Sequence, residues 1–155
     1  MSETAELYQA VIDDHRRRPR RRGPLPSANR VASRENPACG DLCTLRLRVQ
    51  NRLVAEAAFT GAGCALSQAS ASLAVSALEG LSVERATSLV AAMEKLVRTG
   101  PGSVASDETP GDLAALAAAH ALPARHACAL LAWQAAGQAL QSPPDAGIGD
   151  APEGT

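Results

Sequence analysis

The strongest constraint on the fold is one alternating segment enclosed between helical segments. Leu45, Leu47 and Val49 alternate with arginines, which is the pattern of a strand with one buried and one wet face. Residues 54–60 follow after a short turn, so the two segments predict a hairpin in an antiparallel sheet. The order of helix, strands and then helices predicts an α+β fold, with a small antiparallel sheet packed against several helices.

Helical periodicity surrounds this hairpin, with Ser82 and Pro123 as start signals for two of the helices. The spacing of apolar residues predicts helices over 5–18, 65–78, 83–98, 112–120 and 123–140. Residues 99–111 are rich in Gly and Pro and predict a flexible excursion. We expect one domain over 1–141 and a disordered tail over 142–155, because the tail is rich in Pro, Gly and Asp.

The composition limits both the core and the location. Hydrophobic residues make up 46% of the chain but aromatic residues only 2%, so Leu, Val and Ala must fill the core. We therefore expect a modest stability that a bound metal would raise. No apolar run approaches the roughly 18 residues that span a bilayer, and residues 1–18 lack the apolar region of a secretory signal. These features predict a cytoplasmic protein without membrane contact, in which the four cysteines stay reduced.

Three of the cysteines lie near the ends of predicted elements, where side chains can converge. Cys39 precedes the first strand, Cys64 lies at a strand-to-helix junction and Cys128 lies early in the last helix. Asp41 stands two residues after Cys39, so the two side chains share a face in extended backbone. Three thiolates and one carboxylate suit Zn²⁺ or iron–sulfur chemistry. Because CxxC spacing is absent, the residues alone leave open that these are small buried hydrophobic cysteines.

A site of this composition would carry a net charge of about −2 with Zn²⁺ bound, because three thiolates and a carboxylate outweigh the ion. It therefore needs a nearby cation, and Arg125 is close to Cys128 in sequence. We name Arg125 as the candidate supporting residue.

Three short motifs contain these cysteines. Residues 35–41 read Glu-Asn-Pro-Ala-Cys-Gly-Asp, residues 61–72 follow the pattern GxGCxxSxASxS, and residues 122–128 contain Pro-Ala-Arg-x-x-Cys. In this order they closely resemble the motifs of the SufU/IscU/NifU family of iron–sulfur cluster biogenesis, and the resemblance covers about residues 6–140. It implies the family fold and a metal site whose ligands are Cys39, Asp41, Cys64 and Cys128.

The residue before the third cysteine separates two branches of that family. Scaffold-type members usually carry a histidine there, where this chain has Ala127, and His126 would point away from the site on a helix. The long insert at 99–111 is typical of the SufU branch. That resemblance implies a zinc-dependent sulfurtransferase, which accepts persulfide sulfur from a SufS-type cysteine desulfurase and serves downstream iron–sulfur assembly machinery. Two alternatives remain open: a scaffold that transiently holds an iron–sulfur cluster, and a metal-stabilised binding module without chemistry.

If the protein is a sulfurtransferase, Cys39 is the expected sulfur acceptor. A four-coordinate site is closed, so accepting sulfur requires one ligand to leave. Cys39 lies on a loop with Pro37 and Gly40, whereas Cys64 and Cys128 are tied to helices. The family resemblance implies the same residue.

Other residues have simpler interpretations. Cys43 is extra to the family motifs and is expected to pack at the start of a strand, although it could reach the site face. The arginine run at 16–22 predicts a solvated basic turn or a contact with an acidic partner. With a net charge of −1 and no interleaved aromatics, it does not favour nucleic acid. Trp133 is the expected core anchor of the last helix, and His15 is expected to lie at the end of the first.

Overall fold

The computed structural model describes residues 3–104 and 111–141. Its helices and strands are α1 (Glu3–Arg17), β1 (Arg30–Asn36), β2 (Asp41–Gln50), β3 (Leu53–Ala62), α2 (Ala65–Leu78), α3 (Val83–Thr99) and α4 (His126–Gln141). Between α3 and α4 lie 3-10 segments at Pro101–Ser103, Gly111–Ala121 and Pro123–Arg125. The expected tail over 142–155, and residues 105–110 of the expected excursion, lie outside the described residues. The assignment of 1–141 to one domain stays a prediction.

The sheet is antiparallel with strand order β1-β2-β3, and the predicted α+β class is confirmed. Alternate residues of β2 from Asp41 to Leu47 are buried beneath the helices, while the residues between them face outward. β1 was not predicted, because its sequence has no apolar alternation and only Ala32 is buried within it. Pairing with β2 nevertheless places Asn36 opposite Asp41, which brings the two ends of the intervening turn together.

The core forms where α4 packs against α2, α3 and the β1–β2 side of the sheet. Many alanines on α4 are fully buried, and such small side chains allow close approach of the neighbouring elements. Trp133 is fully buried, as expected of a core anchor, and its Nε1 donates to Ser70 Oγ at 3.1 Å. Ser82 Oγ accepts from the Arg85 N–H, which confirms the predicted N-cap of α3.

Two predicted helices differ in detail from the structure. The helix expected over 112–120 is a 3-10 segment, Gly111–Ala121. The last helix begins with a 3-10 turn at Pro123 and becomes α-helical only at His126. Cys128 therefore lies in the first turn of α4. Within the described residues, no helix is both long and apolar enough to cross a membrane.

Nearby acidic side chains pair with several arginines of the run at 16–22. Arg18 and Arg20 both pair with Asp14, at 2.7 and 2.6 Å, and their hydrogen bonds lower the pKa of Asp14 to about 2. Arg21 pairs with Glu79, and Arg22 Nη2 donates to the Gly61 carbonyl at 3.2 Å. These contacts attach the turn to α2 and β3, which favours a structural role for the run.

Candidate metal centre

The β1–β2 turn and the starts of α2 and α4 meet at one place and bring the predicted site residues together. Cys39 lies on the turn between β1 and β2, and Asp41 is the first residue of β2. Cys64 is the N-cap of α2, where its Sγ accepts from the Ser67 N–H at 3.4 Å. Cys128 approaches from the first turn of α4.

The donor atoms of Cys39, Asp41 and Cys128 lie within 4.8 Å of one another, and the two Sγ atoms are 3.7 Å apart. Cys64 is not part of this three-residue group but adjoins it. Its backbone N–H donates to Asp41 Oδ1 at 2.9 Å. Cys128 is fully buried, as is Asp41, whereas Cys39 is exposed and Cys64 is half-buried.

The residues present fit a zinc ion. Asp41 Oδ2 is buried and has no hydrogen-bond partner within the described residues, which is costly for a carboxylate unless a cation satisfies it. Sulfurs bound tetrahedrally to Zn²⁺ at about 2.3 Å lie about 3.8 Å apart, close to the separation of the Cys39 and Cys128 sulfurs. The donors are thiols and a carboxylate, which suits a structural or chemically active zinc site.

Gly63 allows the Asp41 carboxylate to take this position. A Cβ at residue 63 would lie 2.4 Å from Asp41 Oδ1 and 2.6 Å from Ser67 Oγ. The backbone at Gly63 also has φ of +154°, which other residues rarely adopt. The glycine before Cys64 is therefore required by both space and backbone geometry.

The surroundings act differently on the two helical thiols. For Cys64, burial raises the pKa, but hydrogen bonds from Ser67 and Cys128 outweigh it, and the net pKa falls below the ordinary value. For Cys128, burial is the main cause of a raised pKa, and interactions with Asp41, Cys39 and Cys64 add to it. A cation at the site would reverse the balance at Cys128, because it favours the thiolate.

Other candidates from the sequence are placed as follows. Arg125 Nη2 lies 3.7 Å from Cys64 Sγ, so the guanidinium stands beside the thiol cluster. Cys43 is buried in the core, and burial raises its pKa to about 12, so it is a packing residue outside the donor group. His126 is turned away from the site, with its Nε2 3.0 Å from the His120 carbonyl.

Sequence reasoning missed the contribution of Asn36. Its carbonyl accepts from the N–H groups of Cys39 and Gly40, at 3.1 and 2.8 Å, and its Nδ2 donates to Cys128 Sγ at 3.8 Å. Asn36 is part of the first cysteine motif, so its position was a signal. The contact with Cys128 joins residues 92 apart in the chain and could not be read from spacing.

Comparison with known proteins agrees with the motifs. Residues 7–129 match the family model described as the NifU-like N-terminal domain. The zinc-dependent sulfurtransferase SufU of Bacillus subtilis (strain 168) is 36% identical over 130 residues, covering 83% of this chain and 86% of SufU. The iron–sulfur cluster assembly scaffold protein IscU of Streptococcus pyogenes serotype M1 is 34% identical over 141 residues, covering 91% of this chain and 87% of IscU.

The fold has a close counterpart among solved structures. A crystal structure described as a putative iron–sulfur cluster assembly scaffold protein for the SUF system, from Fervidobacterium islandicum AW-1, superposes with a TM-score of 0.78. The superposition covers 91% of this chain and 96% of that chain, at 24% identity, and so supports the fold alone. The family match and the two curated relatives together show that this chain belongs to the NifU-like N-terminal domain family, which includes the SufU and IscU proteins.

Proposed function

We propose that this protein is a zinc-dependent sulfurtransferase of iron–sulfur cluster biogenesis, which accepts persulfide sulfur from a cysteine desulfurase on Cys39. The observation that carries the proposal is the unequal exposure of the cysteines. Cys39 is exposed, whereas Cys128 and Cys43 are buried and Cys64 is half-buried. A protein-bound persulfide can therefore approach Cys39 more directly than the other three thiols.

Cys39, Asp41, Cys64 and Cys128 would hold the zinc, and a zinc ion bound there would favour the deprotonated thiols. The chain's own residues divide the remaining work. Asp41 and Cys128 form the buried floor of the site, and Arg125 supplies positive charge beside Cys64. Cys39 lies on a turn rather than in a helix, so it can move with little disturbance of the core.

The reaction is a sulfur transfer without net oxidation. The Cys39 thiolate attacks the terminal sulfur of the partner's persulfide, and a new S–S bond forms at Cys39 as the partner's S–S bond breaks. The partner's cysteine leaves as a thiolate, and the transferred sulfur remains on Cys39 as a persulfide. This sequence conserves electrons and needs no additional oxidant.

The surface around Cys39 supports a protein as the sulfur donor. The exposed residues of the segments 37–40, 62–63 and 121–124, together with Leu42, carry no charged side chain. We call this surface the apolar rim. Leu42 is 44% exposed and Leu122 is 56% exposed, so both offer hydrophobic contact area to a partner. Exposed residues without charge beside a thiol site, in a chain with 20% charged residues, are typical of a protein-docking surface, and the half-buried Arg125 adds one positive charge at its edge.

Trapping the transferred sulfur tests the proposal. Purified protein is mixed with a cysteine desulfurase and cysteine, alkylated, and digested for mass spectrometry. We expect the persulfide on Cys39, and Cys39→Ser should abolish sulfur uptake while the fold survives. Cys43→Ala is the matched control, because Cys43 lies outside the site. Sulfur found mainly on Cys64 or Cys128, or full activity of Cys39→Ser, would refute the assignment.

The docking surface is tested separately with exposed leucines. Leu42→Ser and Leu122→Ser should each weaken desulfurase binding about fivefold or more, because each removes contact area from the apolar rim. Leu53→Ser is the control, since Leu53 is 46% exposed but begins β3, at the opposite end of the strand from Ala62. An equal effect of all three substitutions would argue against docking at the apolar rim.

A scaffold that assembles an iron–sulfur cluster is the second candidate, because the relative from Streptococcus pyogenes is named a scaffold. The presence of Ala127 before Cys128 is the sequence feature that favours the sulfurtransferase. Metal analysis of protein purified without air separates the two. We expect about one zinc per chain, and stoichiometric iron and sulfide with little zinc would favour the scaffold.

A further inference from the structure

Asn36 is linked to all three of the closely grouped donor residues. Through its backbone carbonyl it closes the turn that carries Cys39, with hydrogen bonds from the N–H groups of Cys39 and Gly40. Through its side chain it reaches Cys128 Sγ, at 3.8 Å from Nδ2. As the last residue of β1, it also pairs with Asp41 across the ladder.

The environment of Cys128 gives the side-chain contact its importance. The sulfur is fully buried, and its neighbours Cys39, Asp41 and Cys64 are all anionic when they act as ligands. The Arg125 guanidinium stands against Cys64 rather than Cys128. The amide N–H of Asn36 is thus a donor from outside the ligand set that faces the buried sulfur.

We propose that Asn36 is a positioning residue for the metal centre, whose side-chain amide holds the Cys128 sulfur in line with the turn that carries Cys39. The proposal rests on the zinc site proposed above. Hydrogen bonds to ligating groups orient them and commonly change metal affinity by about 10- to 100-fold when removed. Substitution leaves the backbone carbonyl in place, so a side-chain variant changes the contact with Cys128 and spares the turn.

Zinc affinity, measured by competition with a chromophoric chelator, tests this assignment. We expect Asn36→Ala to raise the zinc dissociation constant about 10- to 100-fold, which corresponds to about 1.4–2.7 kcal/mol. Asn36→Asp keeps the shape of the side chain but replaces the donor with an acceptor, so it should lose at least as much. It also keeps the test valid if the alanine variant folds poorly.

Asn29, the residue just before β1, provides a matched control. Its Nδ2 donates to the Val49 carbonyl and its Oδ1 accepts from the Val49 N–H, both at 2.8 Å, far from the metal ligands. Asn29→Ala should lower the stability of the sheet but leave zinc affinity within about twofold. In Co²⁺-substituted protein, the near-ultraviolet sulfur-to-metal absorption should change for Asn36→Ala and stay unchanged for Asn29→Ala.

The outcomes separate this inference from the proposed function. If the wild-type chain takes up no zinc, the proposed site fails and the inference fails with it. If the wild-type chain binds zinc and both Asn36 variants bind it equally well, only the positioning role is overturned. An equal loss of affinity in Asn29→Ala would show general loosening of the strands, which also overturns it.

Discussion

Gly63→Ala should disrupt the metal centre through one added methyl group. The new Cβ would lie 2.4 Å from Asp41 Oδ1 and 2.6 Å from Ser67 Oγ, closer than nonbonded atoms tolerate. Asp41 is fully buried at the start of β2, so its carboxylate has little room to retreat. We therefore expect loss of the 2.9 Å hydrogen bond from the Cys64 N–H to Asp41 Oδ1.

The cost has two parts. A hydrogen bond to a charged group contributes about 1.5–3 kcal/mol. Placing alanine at φ of +154° adds about 1–3 kcal/mol of backbone strain. Gly63→Ala should therefore lower the free energy of unfolding by about 2.5–6 kcal/mol, a large part of the stability of a typical domain.

Gly23→Ala isolates the backbone part of this cost. Gly23 has φ of +149°, but a Cβ there meets nothing within 4 Å. The difference between the two variants, about 1.5–3 kcal/mol, then measures the contact with Asp41. Urea unfolding of the two variants after metal removal by a chelator gives their free energies of unfolding. Metal analysis of the untreated variants gives their zinc content. Equal stabilities for the two variants, with normal zinc in Gly63→Ala, would refute the reasoning.

Three further predictions concern the remaining cysteine, a buried histidine and the metal. Cys43→Ala should keep zinc and sulfur acceptance at a stability cost of about 1 kcal/mol. Alanine is used because Cys43→Ser would bury an unpaired hydroxyl group. Loss of zinc in the alanine variant would instead show that Cys43 is a ligand. His15 is 3% exposed, and burial first, then Arg20, lowers its pKa despite the opposing effect of Asp14 and Asp112. Below pH about 6.5 the folded state therefore binds a proton on His15 less readily than the unfolded state does, so stability should fall on acidification through that range. His15→Gln should reduce this fall, measured by urea unfolding at pH 7.5 and 5.5, and an unchanged pH dependence would contradict the assignment. Removal of zinc by a chelator should lower the thermal midpoint, because metal binding adds to the free energy of folding; equal midpoints after verified metal loss would exclude this.

The hairpin and the helices could be predicted because their burial follows a local period. Leu45 and Leu47 are fully buried at the alternation that the sequence shows. β1 could not be predicted, because its stability comes from pairing with β2 and contact with α4 rather than from its own apolar residues. The 3-10 geometry of Gly111–Ala121 was also missed, since apolar spacing indicates a helix without defining its hydrogen-bond pitch.

The residues of the candidate site could be named from the motifs, but the motifs do not show how these residues are arranged in space. The sequence placed Cys64 at a strand-to-helix junction, which the structure has as the N-cap of α2. The grouping of Cys39 with Asp41 and Cys128, with Cys64 adjoining it, depends on how α4 docks against the sheet. The contact of Asn36 with Cys128 has the same origin, because it joins β1 to α4.

The hydrogen bond between Trp133 and Ser70 has an optical consequence. Trp133 is the one tryptophan in the chain, and its indole joins α4 to α2 in the buried interior. The same two helices carry Cys128 and Cys64 near their starts. Indole fluorescence depends on the polarity around the ring and on its hydrogen bond. The emission of the unlabelled protein therefore offers a built-in signal of how the two helices sit against each other, readable within milliseconds of adding metal or sulfur donor.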